Sequence, residues 1–191
     1  MARTFHLSFG TISYLFFFVT FLILIAFVGN LPFMPVTIDR GGPGAGAGWA
    51  LPADQAATKQ LILAGLADHW GTLDLTLNPD LNDIARSYQG ETFLLALQGE
   101  EIVGCGALIK EEGKVGYGRI VRMSVKEENR RQGIGQLILK HLETAARQRQ
   151  FHTILLETTE TWTDVVAFYL ANGYQITHHQ DGDTHFQKTT N

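Results

Sequence analysis

Residues 120–149 read IVRMSVKEENRRQGIGQLILKHLETAARQR and fall into three parts. Residues 120–125 are an apolar run that leans toward a strand. Residues 126–132 form a charged turn. Residues 133–149 are amphipathic: Ile134, Leu137, Ile138, His141, Leu142 and Ala145 recur at the spacing of one helix face. Strand, glycine-bearing basic turn and helix start together make a place to hold a phosphate. The first N–H groups of a helix have no partner within it, and the helix dipole adds partial positive charge there. Gly133 and Gly135 let an anion approach the backbone closely, and Arg130 and Arg131 add charge.

Two nucleotide readings of this turn fail on single residues. A dinucleotide fingerprint needs a third glycine where Ile138 stands, and a P-loop needs Lys-Ser/Thr after its glycines, which is absent. What remains is an R-x-x-G-x-G spacing directly after a strand: Arg130, Arg131, Gln132, Gly133, Ile134, Gly135.

Working outward, residues 53–70 read as a helix begun by Pro52, with Ile62, Leu63, Leu66 and Trp70 on one face. Residues 69–83 are a polar and aromatic connection, and 81–88 fit one more short helix. Three strands follow at 92–97, 101–109 and 115–125, separated by turns at 98–100 and 110–114. After the amphipathic helix, residues 153–157 (TILLE) are a short apolar run suited to a strand buried on both faces. Residues 163–171 form a helix ended by Asn172-Gly173, and 174–178 with 184–188 make a hairpin about Asp181-Gly182. A short strand is expected at 49–51.

This order implies an α/β (α+β) fold: a mixed, mostly antiparallel sheet with flanking helices. Together with the turn, residues 102–108 (IVGCGAL) and 167–174 (AFYLANGY) resemble, in order, three motifs of the GNAT superfamily of N-acetyltransferases. The resemblance covers roughly residues 49–188. It implies a central parallel strand pair that splays apart, with acetyl-CoA as co-substrate and no metal. Arg130, Arg131, Gln132, Gly133, Ile134, Gly135 and Gln136 would wrap the pyrophosphate. Met123, Ser124 and Val125 would pair with the pantetheine arm, and a backbone N–H near Ser124 would polarise the thioester carbonyl. Tyr169 matches the tyrosine that protonates the departing thiolate.

The sequence departs from the family in two places. Arg119 stands where many members carry a glutamate base, and Trp162 replaces a frequent asparagine. Glu157, ending the buried strand beside the splay, is the candidate base; as a structural carboxylate it would pair with Arg122. Trp70, Asp74, Asp80 and Asp83 lie where the acceptor pocket is lined in the family. The His178–His185 region carries metal-type ligands but reads as a hairpin tip, and Cys105 between two glycines reads as a packed residue rather than a nucleophile.

Composition bounds the rest. Net charge is −4 without a long basic block, which excludes a typical nucleic-acid partner. One cysteine excludes an internal disulfide. Residues 9–28 hold no charge over about 20 positions, the length needed to cross a bilayer. Hence residues 1–33 read as a hydrophobic helix and membrane anchor, 34–48 as a glycine-rich linker, and 49–191 as the acetyltransferase domain. Arg3 before the span and Arg40 after it give little orientation. Cytosolic acetyl-CoA puts the domain on the cytoplasmic side of a single-pass protein, or in the cytoplasm if translation starts at Met34. The expected function is transfer of an acetyl group to a small-molecule or peptide amine by direct attack in a ternary complex. A membrane-tethered acyl-CoA sensor without turnover is the second reading.

Overall fold

A computed structural model describes residues 37–39 and 52–190. The uncharged run at 9–28, the glycine-rich run at 41–48, the expected strand at 49–51 and the domain boundaries drawn there lie outside the described residues.

The elements are β1 (Thr37–Asp39), α1 (Pro52–Trp70), α2 (Ile84–Ser87), β2 (Thr92–Gln98), β3 (Glu101–Lys110), β4 (Tyr117–Val125), α3 (Ile134–Gln148), β5 (Thr153–Thr159), α4 (Thr163–Ala171), β6 (Gln175–Gln180) and β7 (Asp183–Thr189). Short 3-10 turns at Leu75–Leu77 and Pro79–Asn82 join α1 to α2, and a third at Glu127–Asn129 follows β4. The sheet has seven strands in the order β1-β2-β3-β4-β5-β7-β6. Among the described residues only β4 and β5 pair in parallel; every other neighbouring pair is antiparallel. The parallel pair sits mid-sheet because a strand–helix–strand crossover through α3 returns the chain in the same direction.

Two placements differ from the sequence expectation. Thr37–Asp39, within the stretch taken as linker, pairs with Leu95–Leu97 and extends the sheet. The closing hairpin also enters with its second strand inward, so β7 lies between β5 and β6. Its composition explains why. Thr184 and Phe186 of β7 are buried on alternating positions, whereas every residue of β6 is exposed. The strand with an apolar face takes the internal slot, and the polar one takes the edge.

Helices cover both faces. α3 and α4 lay Ile138, Leu139, Leu142 and Tyr169 against Ile120, Ile154, Leu156 and Phe186. On the other face α1 and α2 set Leu61, Ile62 and Ile84 against Phe93, Leu95 and Cys105. Gly104 and Gly106 are what let α3 lie this close. A Cβ on Gly104 would stand 2.8 Å from Ile138, and one on Gly106 2.6 Å from the Met123 sulfur. The buried stripe of α3 is wider than its expected face. Ile134, Ile138, Leu142 and Ala145 are buried as expected, but Leu139 and Ala146 join them while Leu137 and His141 are only partly covered. Trp70, expected on the apolar face of α1, is instead 52% exposed.

Candidate functional site

The site is built on a gap in the sheet. β4 and β5 pair only at Tyr117–Thr153, Gly118–Ile154 and Arg119–Leu155. Beyond that point β4 stays joined to β3 and β5 to β7, so the strands diverge with unpaired backbone facing the gap. A β-bulge sits on β4 just where it departs. Cys105 faces Ser124 and Ala107 faces Val121, which leaves Arg122 and Met123 together opposite Gly106. Arg122 takes a left-handed φ of 57° there. A bulge bends its strand and increases local twist. The expected splay is therefore present, with Met123, Ser124 and Val125 on its β4 side.

Side chains hold the bulge in place. Cys105 Sγ donates to the Arg122 carbonyl at 3.3 Å. The Arg122 guanidinium grips Asp80 through Nε at 2.9 Å and Nη2 at 2.6 Å, and donates to Asn78 Oδ1 at 2.8 Å. Tyr88 donates to the same Asp80 at 2.7 Å. Arg122 thus ties the connection between α1 and α2 down onto β4. Asp80, expected on the acceptor rim, is committed to this tie. Arg122→Met is expected to lower unfolding free energy by about 2 kcal/mol, because it strands a partly buried carboxylate. Chemical denaturation measures this; an unchanged midpoint would show that the tie carries no stability.

The gap ends at the start of α3. Gly133, at φ 84°, is the N-cap and offers no capping side chain. Only glycine adopts that backbone at no steric cost. The first N–H donors of α3, at Ile134, Gly135 and Gln136, therefore meet neither a capping side chain nor a helical partner. Arg131 and Gln132 are exposed beside them. Arg130, expected to add charge to the phosphate turn, is also tied down. Its guanidinium donates to the Val125 carbonyl at 3.1 Å and pairs with Asp68 at 2.5 Å, fastening the turn to α1. The open donors fit an anionic phosphate group, and the unpaired β4 backbone fits an extended amide-bearing chain.

Tyr169 lies on α4, 5% exposed, with ring centroids of Phe168, Tyr174 and Phe186 at 5.2, 5.7 and 5.7 Å. Burial pushes its hydroxyl pKa up, so it is a protonated donor at any working pH. Glu157, the candidate base, does not take the structural pairing with Arg122. Its Oε2 meets Arg119 Nη1 at 2.6 Å and His185 Nδ1 at 3.4 Å. Arg119 also holds Glu111 through two bonds of 2.6 and 2.7 Å. Its hydrogen bonding to Glu111 raises the Arg119 pKa further, and the same bond lowers that of Glu111. The residue at the glutamate position is therefore a fixed cation bridging two carboxylates. Glu111 and His185 were not legible as site residues, since β7's place beside β5 was not.

Trp162 lies in the loop after β5. It stacks on His69 with centroids 4.2 Å apart and meets Trp70 at 5.2 Å, joining the loop after β5 to the end of α1. Cys105 is buried, and burial raises its thiol pKa to about 12, so it is no nucleophile. Among the described residues no group of His, Cys, Asp and Glu is arranged to hold a metal ion, and no helix is long and apolar enough to cross a membrane.

Residues 58–174 match the profile of the family described as "Acetyltransferase (GNAT) family". The chain belongs to the GNAT family. This GNAT chain is 32% identical over 107 residues to N-acetyltransferase 8B of Rattus norvegicus, covering 53% of the chain and 48% of that relative. It spans about half the length of the first curated relatives it matches. Among solved structures, a GNAT-family acetyltransferase from Staphylococcus aureus Mu50 superposes with a TM-score of 0.69 at 18% identity, over 82% of this chain and 99% of that one. PaiA N-acetyltransferase from Thermoplasma acidophilum, solved in complex with coenzyme A, gives 0.66 at 16% identity over 82% and 99%. These likenesses show that the GNAT fold is shared across most of the chain.

Proposed function

We propose that this chain transfers an acetyl group from acetyl-CoA to an amine by direct attack within a ternary complex. The observation that carries this is the gap between β4 and β5, which ends on the uncapped, glycine-started N-terminus of α3. In this reading the N–H groups from Arg131 to Gln136 take the pyrophosphate, while Arg130 braces the turn through Asp68 and Val125. Backbone of Met123, Ser124 and Val125 pairs with the pantetheine arm. An N–H near Ser124 faces the developing negative charge on the carbonyl oxygen, a donor whose loss typically costs about two to three orders of magnitude in rate.

The chemistry balances with the residues at hand. The N–C bond forms and the C–S bond breaks. Tyr169 gives its hydroxyl proton to the sulfur, and solvent restores it. The proton leaving the acceptor nitrogen goes to the cluster centred on Glu157. Its arrangement around Arg119, rather than Arg119 itself, supplies what the missing glutamate would. Residues 49–191 act as the acetyltransferase domain. The anchor and its cytoplasmic orientation rest on sequence alone, on the uncharged run at 9–28.

The test is release of free CoA from acetyl-CoA with spermidine, tyramine, lysine and a short peptide bearing a free N-terminus. Acetyl-CoA is expected to raise the melting temperature, and at least one amine to yield an acetylated product by mass spectrometry. Thermal stabilisation without turnover on any amine would favour the sensor reading instead.

A further inference from the structure

We infer that His185 is the general base of this site, positioned by Glu157. The inference rests on the acetyltransferase reading and names the member of the Glu157 cluster that takes the proton. An acceptor ammonium must lose a proton before its nitrogen attacks. Arg119 cannot accept one, and Glu157 Oε2 is already engaged by the Arg119 guanidinium at 2.6 Å.

His185 lies directly across the β5–β7 ladder from Glu157. The two project from the same face, opposite to buried Leu156 and Phe186. Glu157 is two residues past the last β4–β5 pair and borders the gap, with His185 one strand behind it on β7. His185 turns Nδ1 toward Glu157 at 3.4 Å, and Nε2 has no partner among the described residues. With a carboxylate 3.4 Å from Nδ1, Nε2 is the ring nitrogen open to a proton. His178 of β6 stacks flat on the ring, centroids 4.3 Å apart and planes 5° from parallel, which fixes its orientation. The side chain of His185 is 24% exposed, so a proton taken there has a route to water.

Glu111, from the turn after β3, and Glu157 of β5 share the single guanidinium of Arg119 on β4. Lys114 adds a second cation near Glu111. His178 faces the ring from β6, and the His179–Glu160 pair is 4.0 Å apart.

The experiment compares the full chain with His185→Ala, using whichever amine of the panel above turns over fastest. In the wild-type protein kcat/KM is expected to fall on the acid side of neutrality. His185→Ala is expected to lower kcat/KM about 100-fold near neutral pH, to lose that acid limb, and to regain rate when imidazole is added. Glu157→Gln is expected to lower kcat/KM as well, since it removes the carboxylate that faces Nδ1. Acetyl-CoA's effect on melting temperature should be the same in all three proteins. His185→Ala with wild-type rate and limb would overturn the assignment. So would a slow His185→Ala that imidazole does not rescue, because it would mark a packing role. A wild-type chain that acetylates no amine would sink the transferase reading and this assignment with it, before any variant is compared.

Discussion

Gly135→Glu is expected to abolish the rise in melting temperature that acetyl-CoA gives the wild-type protein, while leaving the free protein at least as stable. The two halves of this result have separate causes. A Cβ at Gly135 meets Phe168 at 3.6 and 3.7 Å and Val125 at 3.8 Å, which is ordinary contact. Replacing a helical glycine gains up to about 1 kcal/mol of helix propensity, and an acid in the first turn is favoured by the dipole. Folding therefore has no reason to suffer. Binding does, because a carboxylate would stand among the donors meant for a pyrophosphate. The loss of affinity is expected to be on the order of 100-fold or more, from displaced hydrogen bonds and like-charge repulsion. Gly135→Ala is the control, expected to keep most of the affinity. Normal acetyl-CoA stabilisation in Gly135→Glu would show that the start of α3 is not the phosphate site.

Tyr169→Phe is expected to slow CoA release about 100-fold through kcat, with little change in KM or in stability. The ring fills a place among Phe168, Tyr174 and Phe186 that phenylalanine also fills. Burial alone accounts for the raised pKa of the hydroxyl, with no hydrogen bond contributing. Deleting such a group removes no folded-state partner, and its desolvation cost disappears with it. A purely structural Tyr169 would thus leave both stability and rate near wild type. Steady-state kinetics with denaturant unfolding on the same sample separates the cases. An unchanged release rate would assign the thiolate's proton to solvent.

Much of the fold was legible because its signals are local. The 3.6 period of residues 134–145 names a helix face whatever packs against it. Asn172-Gly173 marks the end of α4, and Asp181-Gly182 the hairpin tip, through backbone preferences of those residues alone. The turn from Arg130 to Gly135 was legible for the same reason, since spacing of glycines after a strand is a property of neighbouring positions. The pairing partners of charged side chains were not. Had Glu157 been a structural carboxylate, Arg122 was the expected partner, yet Glu157 sits on Arg119 and Arg122 reaches 42 residues back to Asp80. Arg130 was read as charge for the turn, and its tie to Asp68, 62 residues away, was not legible. Side-chain length lets an arginine choose among several acids, and only the packed arrangement decides which is within 3 Å.

By itself the sequence determined the order of elements, the glycine-bearing turn before α3 and the membership those motifs imply. Each depends on periodicity, capping or spacing within a few turns of chain. The tertiary structure alone decided the rest. It placed β7 between β5 and β6, where Phe186 is buried and His185 faces Glu157. It set the bulge at Arg122 that opens the gap. It turned the expected base into one member of a cluster drawn from β3's following turn, β4, β5 and β7. Such arrangements depend on which strands become neighbours, and that is settled by burial of whole faces rather than by any local run of residues.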